Sequence, residues 1–166
     1  MELRRPTLAD KETVLDMMAE FEATQSAHDG GFWDAEAFVY EDWLKSNRDM
    51  EMGLGIPDGW VPAVQLVAFA RDGQAVGFLN IRLRLSDYLL EEGGHIGYSI
   101  RPSERGKGYA KESLRQGLEV AKGKNIKRAL VTCDSDNAAS RAVILTNGGV
   151  LEDVRGGKGR YWIDLD

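Results

Sequence analysis

The feature that most constrains the fold of this chain is a strand, a loop and a helix that follow one another without a break between residues 95 and 122. Residues His95 to Ile100 are typical of a strand, which Pro102 closes because proline donates no hydrogen bond to a sheet. A helix is predicted from about Gly108 to Lys122. Its core-facing stripe is Ala110, Leu114, Leu118 and Ala121. The chain therefore turns sharply from strand to helix.

The loop in that turn, Arg105-Gly106-Lys107-Gly108-Tyr109-Ala110, has the properties of an anion site. Free N–H groups at a helix N-terminus, together with the positive end of the helix dipole, attract phosphate. The two glycines allow close approach of the backbone to an anion, and Arg105 and Lys107 add positive charge. The same spacing also fits a tight turn with solvated charges, so the pair of glycines alone leaves both interpretations open.

Two other phosphate-binding motifs are absent from the sequence. The P-loop pattern GxxxxGK[ST] does not occur. The dinucleotide pattern GxGxxG fails because Lys111 occupies the position of its last small residue.

The rest of the chain predicts further strands and helices, some of the strands joined by hairpins. The run from Val64 to Arg71 is almost continuously apolar, which favours a strand buried on both faces. Asp72-Gly73 is a hairpin signal, and the alternation from Val76 to Leu85 predicts a half-buried antiparallel strand. Asp87 to Gly94 is interpreted as a polar connection. The other predicted strands are 2–5, 129–132, 150–154 and 160–165, and the other helices are 11–23, 34–46 and 137/138–146.

This order of elements mixes hairpin-linked strands with helices, which predicts a mixed α/β (α+β) fold. The length of 166 residues suits one hydrophobic core, and no linker or repeat interrupts it. We therefore expect a single domain spanning residues 1–166.

Charge, cysteine content and the length of apolar runs limit the expected partners, disulfides and location of the protein. The net charge of −6 argues against nucleic acid, which selects basic surfaces, and is compatible with a cationic substrate. Cys133 is the sole cysteine, so an intrachain disulfide is excluded. No apolar run approaches the roughly 20 residues of a membrane span. A cytoplasmic protein without a membrane partner is expected.

The wider segment from Ile96 to Ala110 resembles the acetyl-coenzyme A (acetyl-CoA) binding motif of the GNAT N-acetyltransferase superfamily. Residues Arg105 to Ala110 match its signature (Q/R)-x-x-G-x-(G/A). Leu3 to Asp10 resembles the family's first strand and the entry to its first helix. Asn137-Ala138-Ala139-Ser140, followed by Gly148, resembles its second cofactor-facing helix. The resemblance implies a central mixed, mostly antiparallel twisted sheet flanked by helices on both faces.

The resemblance also implies acetyl-CoA as the acyl-donor cosubstrate, with no metal. The loop amides would bind the pyrophosphate, and the preceding strand would offer backbone hydrogen bonds to the pantetheine arm. Asn137 would reach the cosubstrate from its helix, a role compatible with that of an N-cap. The implied cofactor-binding residues are Tyr98, Ser99, Ile100, Arg105, Gly106, Lys107, Gly108, Tyr109, Ala110, Asn137 and Ser140.

The implied reaction is direct attack of a primary amine, on a small molecule or a peptide, on the thioester. A strand amide near Tyr98 would stabilise the oxyanion. The family often protonates the leaving thiolate with a tyrosine seven residues after the helix asparagine, but that position here is Ile144. Tyr98 and Tyr161 are substitutes by residue type, and either could instead be a packed strand aromatic.

Several residues are candidates for the general base that deprotonates the amine, and the sequence does not decide among them. His95 has an ordinary pKa near neutrality, and Glu91 and Glu92 precede it. The histidine could be structural, the glutamates could be solvated, and water could carry the proton. Cys133 has no identifiable histidine partner, so covalent catalysis is not expected. The catalytic candidates are therefore Tyr98, His95 and Glu92.

The acceptor is expected to contact residues 24–62 and 86–94, the family's variable region. A cation could be held there by charge and aromatic contact; the candidates are Asp29, Trp33, Glu36, Glu41 and Asp42. These residues could equally be surface charges and core aromatics. Because of Ile144, a non-catalytic acyl-CoA-binding module is the rival hypothesis. The resemblance also makes a homodimer possible.

Overall fold

A seven-stranded sheet forms the centre of the computed structural model, which describes residues 1–166. The strands are β1 Glu2–Arg4, β2 Ala63–Phe69, β3 Ala75–Arg82, β4 Ile96–Ile100, β5 Arg128–Asp134, β6 Val150–Arg155 and β7 Lys158–Asp164. They lie in the order β1-β2-β3-β4-β5-β7-β6. Every neighbouring pair is antiparallel except β4 and β5. The predicted mixed, mostly antiparallel sheet is confirmed.

Four α-helices accompany the sheet: α1 Lys11–Ala23, α2 Tyr40–Met52, α3 Tyr109–Gly123 and α4 Ala138–Thr146. Short 3-10 turns cover Leu8–Asp10 and Pro102–Glu104. None of the helices has both the length and the apolar character that crossing a bilayer requires. The predicted order of strands and helices is confirmed, and α1 begins and ends where its apolar spacing indicated.

Two separate hydrophobic cores lie on the two faces of the sheet. Leu66 and Leu79 point to one face and pack with Leu114 of α3. Their neighbours Val67 and Phe78 point to the other face, into a core that α1 and α2 complete. Alternate residues of a strand face opposite sides, so a strand covered by helices on both faces must be apolar throughout.

This arrangement corrects the prediction for the strand from Val76 to Leu85. It is buried on both faces, not half-buried, and it ends at Arg82. Its polar residue Asn80 is buried and donates to Gln65 Oε1 on β2 at 3.2 Å. The alternation of polar and apolar residues therefore marks a polar face of the sheet that other parts of the chain cover, and not a face exposed to solvent.

Two other segments differ from their predictions. The helix expected over residues 34–46 is α2, six residues later, because the Asp34 side chain accepts the Glu36 N–H in a local turn and Gly53, with φ of 78°, ends the helix. The connection from Asp87 to Gly94 contains a short π-helical turn, Leu89–Gly93, which the buried Leu89 anchors.

A buried arginine ties α1 to the end of β4. Arg101 donates to Asp16 and Glu20 of α1 and to the Ala75 carbonyl. Glu20 also accepts from the N–H of Ser103, at 2.7 Å. These bonds hold the turn that precedes the glycine loop against a helix on the opposite face of the sheet.

Candidate functional site

The site begins at a gap between β4 and β5, which pair only at Ile96 and Val131. Arg82 N–H donates to the His95 carbonyl at 2.7 Å, and Arg101 N–H donates to the Val76 carbonyl at 2.8 Å. Because hydrogen-bonded pairs alternate along an antiparallel ladder, the N–H and C=O groups of Tyr98 and Ile100 face away from β3. They point into the gap, where β5 no longer pairs with them.

The glycine loop lies just beyond this strand and presents a row of unpartnered amides. Gly106 and Gly108 have φ of 80° and 86°, a left-handed conformation that favours glycine. The N–H groups of residues 106–111 donate to no acceptor within the chain. They lie at the N-terminus of the 15-residue helix α3, whose dipole adds positive potential. This geometry suits a phosphate or pyrophosphate.

The charged side chains of the loop are already occupied. Arg105 donates to the Ile100 carbonyl at 2.9 Å and to the Ser26 hydroxyl at 2.8 Å, and Lys107 pairs with Glu104. The attraction for an anion therefore comes mainly from the backbone. The contribution expected from the Arg105 side chain is mainly to hold the loop against β4.

The first turn of α4 meets Tyr98 across the gap. Asn137 caps the helix by accepting the Ser140 N–H at 3.1 Å, so the N-cap interpretation holds. The hydroxyls of Ser140 and Tyr98 are 2.8 Å apart. Burial raises the pKa of Tyr98 to about 12, although the bond to Ser140 opposes this rise. The phenol therefore stays protonated at every ordinary pH and remains available as a donor.

The other tyrosine candidate and Ile144 belong to the core. Ile144 is completely buried on the α3 side of the sheet. Tyr161 packs in the same core and lies outside the cavity that Tyr98 lines. Of the two tyrosines, only Tyr98 has its hydroxyl hydrogen-bonded to another side chain.

A cavity of about 950 Å³ lies at the gap and is lined by residues from both faces of the sheet. Tyr98, Asn137 and Ser140 line one end. The segment from His28 to Phe32 and the π-helical turn line the other, above a floor that includes Asn80 and Arg82. A molecule in the gap could therefore react with one that enters from the opposite face.

Three carboxylates line this cavity without partners. The side chains of Asp29, Asp58 and Glu92 make no hydrogen bond or ion pair. By contrast, Glu91 pairs with Arg155 at 2.7 Å, and Glu41 pairs with Lys11 at 2.9 Å.

The remaining acceptor candidates lie outside the cavity. Glu36 and Asp42 do not line it. Trp33 stacks on His28 at 3.9 Å between ring centroids and donates to Glu22.

His95 is part of the strand framework. It is 7% exposed, lies outside the cavity, and its Nδ1 accepts the Leu130 N–H at 2.9 Å. Burial, with a smaller contribution from Arg82, lowers its pKa to about 4. The ring is thus neutral near pH 7. Its role as a base stays a prediction, which this geometry does not favour.

The lowered pKa of His95 predicts acid sensitivity. The unfolded chain, with a histidine pKa of about 6.5, takes up a proton that the folded chain refuses until about pH 4. Stability is therefore retained above pH 6.5 and falls as the pH drops towards 4, by about 2 to 3 kcal/mol from this residue. Urea unfolding of the wild type and of His95→Asn at pH 7 and pH 4.5 measures this loss of unfolding free energy. An equal loss in both proteins would contradict the assignment.

Sequence analysis missed the position of one functional candidate, Arg82. The alternation from Val76 to Leu85 predicts only a strand there, yet Arg82 lines the cavity. A signal existed in the pair Asn80 and Arg82, which are polar in a strand that is otherwise apolar.

Comparison with known proteins bears on the whole arrangement. The model of the acetyltransferase (GNAT) domain family matches residues 1–150. No curated protein sequence matches the chain.

Similar solved structures include ribosomal-protein-S5-alanine acetyltransferase from Vibrio fischeri, with a TM-score of 0.69, 17% identity and coverage of 99% of this chain and 92% of that one. The Salmonella typhimurium protein yncA, solved with acetyl-CoA as its cofactor, has a TM-score of 0.64, 16% identity and coverage of 99% and 94%. PaiA N-acetyltransferase from Thermoplasma acidophilum, in complex with coenzyme A, has a TM-score of 0.59, 18% identity and coverage of 98% of each chain. At these identities the structures show a shared fold. Since the family model covers most of the sequence, the chain belongs to the GNAT acetyltransferase family.

Proposed function

We propose that this chain is a single-domain, acetyl-CoA-dependent N-acetyltransferase that transfers the acetyl group to a primary amine of a small molecule or peptide. The observation that carries the proposal is the cavity at the β4–β5 gap. Its lining includes Asn137 and Ser140 at the start of α4 on one face of the sheet and the unpaired carboxylates Asp29 and Glu92 on the other. A donor and an acceptor could meet there without a covalent enzyme intermediate.

The donor half of the site fits acetyl-CoA. The amides of residues 106–111 would bind the pyrophosphate, because they lack partners in the chain and lie at a helix N-terminus. The peptide group of Tyr98 and the N–H of Ile100 face the gap, where they would bind the pantetheine arm, whereas the Ile100 carbonyl already accepts a side-chain hydrogen bond. Asn137 and Ser140, at the start of α4, line the same passage.

Tyr98 would act on the reacting atoms in two ways. Its N–H points into the gap and would donate to the oxygen of the acetyl carbonyl as negative charge develops there. Its hydroxyl would donate to the leaving sulfur. A thiol has a pKa of about 8.5, well below the pKa of about 12 at Tyr98. The tyrosine would thus stabilise the thiolate by a hydrogen bond and leave full protonation to solvent.

The acceptor amine must lose a proton before it attacks. An alkyl ammonium has a pKa of about 10.4, so most of it is charged at neutral pH. Asp29 and Glu92 would attract that ammonium group into the cavity. Glu92, whose main-chain carbonyl accepts from Thr132, would receive the proton, directly or through water.

Calorimetry and a thiol-release assay test the proposal. We expect acetyl-CoA to bind, and coenzyme A to be released only when an amine is present. Mass spectrometry should find one N-acetyl product for each thiol released. Binding without acetylation of any amine in a broad panel would favour the rival hypothesis, a non-catalytic acyl-CoA-binding module, which Ile144 motivates. Absence of binding would reject both.

A further inference from the structure

Arg82 places a positive charge in the acceptor end of the cavity. It is the last residue of β3 and lies on the same face as Asn80. A Cβ at Gly97 of the neighbouring strand would stand 3.1 Å from both of its terminal nitrogens, so the guanidinium lies directly over that glycine. Its Nη1 donates to the Gly93 carbonyl at 3.2 Å. The packing holds the group flat against β4, beside the gap.

Arg82, which is half-buried, differs from the two buried arginines in having no anion. Arg101 and Arg160 each pair with two carboxylates. Burial alone would lower their pKa values, but these pairs raise them above the ordinary value. No carboxylate oxygen lies within 4.0 Å of Arg82, and burial lowers its pKa. A shielded guanidinium without a counter-charge is costly, and the cavity is where an anion could reach it.

Asp29 places a negative charge on the same side of the cavity. The Ser99 hydroxyl donates to the Asp29 carbonyl at 2.7 Å. The next residue, Gly30, packs so closely on the Gly97 carbonyl that a side chain would collide with it. These contacts hold Asp29 alongside β4. Its charge partly offsets the effect of burial on the pKa of Arg82, but the two groups do not form an ion pair.

The cavity therefore offers an anion site and a cation site side by side, bordered by aromatic rings. Phe32 and Trp60, with centroids 5.8 Å apart, line it together with Leu89. We propose that the acceptor is an α-amino acid with an apolar or aromatic side chain, whose carboxylate binds Arg82 and whose ammonium group binds Asp29. This inference rests on the proposed function and names its substrate class.

The chemistry balances without a further reactant. The ammonium group releases one proton to solvent through Glu92, and the free amine forms a C–N bond with the acetyl carbon. The C–S bond breaks, and its electron pair leaves with sulfur. The second amine proton is lost as the amide forms, and solvent returns one to the thiolate. The products are an N-acetyl amino acid, coenzyme A and one proton.

The test uses pairs of acceptors that differ only in the carboxylate. The kcat/KM values of phenylalanine, leucine and methionine would be compared with those of their amides and of their decarboxylated amines. For at least one of these amino acids, the kcat/KM should exceed that of its amide by about 50-fold, as expected for a charge-assisted bidentate bond. Equal or better use of the amides would overturn the inference. This comparison needs no variant, so it holds even if an altered protein fails to fold.

Arg82→Met then tests the residue itself. The ratio of kcat/KM for acid over amide should fall from about 50 towards 1, and Arg82→Lys should restore part of it. Arg84→Met is the matched control, because Arg84 is exposed and lies outside the cavity; its ratio should equal that of the wild type. An unchanged ratio in Arg82→Met would overturn the role of Arg82.

The outcomes separate this inference from the proposed function. If simple amines are acetylated and amino acids are not, only the substrate class is wrong. If acetyl-CoA binds and neither class is acetylated, the proposed function itself fails.

Discussion

Replacing Gly108 with glutamate should strongly weaken acetyl-CoA binding while the protein stays folded. No atom lies within 4 Å of the position that a Cβ would take, so the side chain fits the fold. The residue has φ of 86°, and a side chain there costs about 1–2 kcal/mol of stability. The carboxylate would cover the free amides and repel the pyrophosphate. Loss of two charge-assisted hydrogen bonds, about 4 kcal/mol, would weaken binding about 1,000-fold.

Isothermal titration calorimetry measures this effect, and two controls separate its causes. Gly108→Ala introduces the backbone strain without the charge and should weaken binding far less. Gly123→Glu adds the same charge at the other end of α3, where a Cβ also meets nothing within 4 Å, and should bind normally. Unchanged affinity in Gly108→Glu would reject the glycine loop as the pyrophosphate site.

Tyr98→Phe should lower kcat about 100-fold and leave the affinity for acetyl-CoA within about threefold. The substitution keeps the ring and the backbone N–H and removes only the hydroxyl that lies 2.8 Å from Ser140. Loss of a preorganised hydrogen-bond donor to developing negative charge costs about 100- to 1,000-fold in kcat. The lower end applies because the phenol, with a pKa of about 12, keeps its proton and only hydrogen-bonds to the leaving sulfur.

Single-turnover kinetics would report the chemical step directly. Tyr161→Phe is the matched control, since it removes a hydroxyl from a core tyrosine outside the cavity; its kcat should match that of the wild type. The wild-type rate should also show no loss up to about pH 10 from ionisation of Tyr98, because the phenol stays protonated below its pKa. A fully active Tyr98→Phe variant would show that the Tyr98 hydroxyl does not stabilise the leaving sulfur and would leave that task to water.

Local sequence patterns predicted the elements well where each depends on its own residues. Helix α1, predicted over residues 11–23, buries Val14, Met17, Met18 and Phe21 at helical spacing. The predictions failed where long-range packing decides which residues form a helix or are buried. The helix predicted over residues 34–46 forms instead over Tyr40–Met52, where Tyr40 and Trp43 join the core of α1. The strand that ends at Arg82 was predicted to be half-exposed because alternation alone cannot reveal a covering loop.

The glycine loop is the part of the site that sequence determined by itself. Its conformation needs only two positive φ values and a following helix, and those requirements are local. The site as a whole was decided by tertiary structure. Tyr98 reaches Ser140 across 42 positions of sequence, and Ser99 holds Asp29 across 70. A half-buried arginine without an anion can be recognised only once every neighbour is known. Such groups interact by distance through space, and only the folded sheet, with β4 and β5 held apart, brings them together.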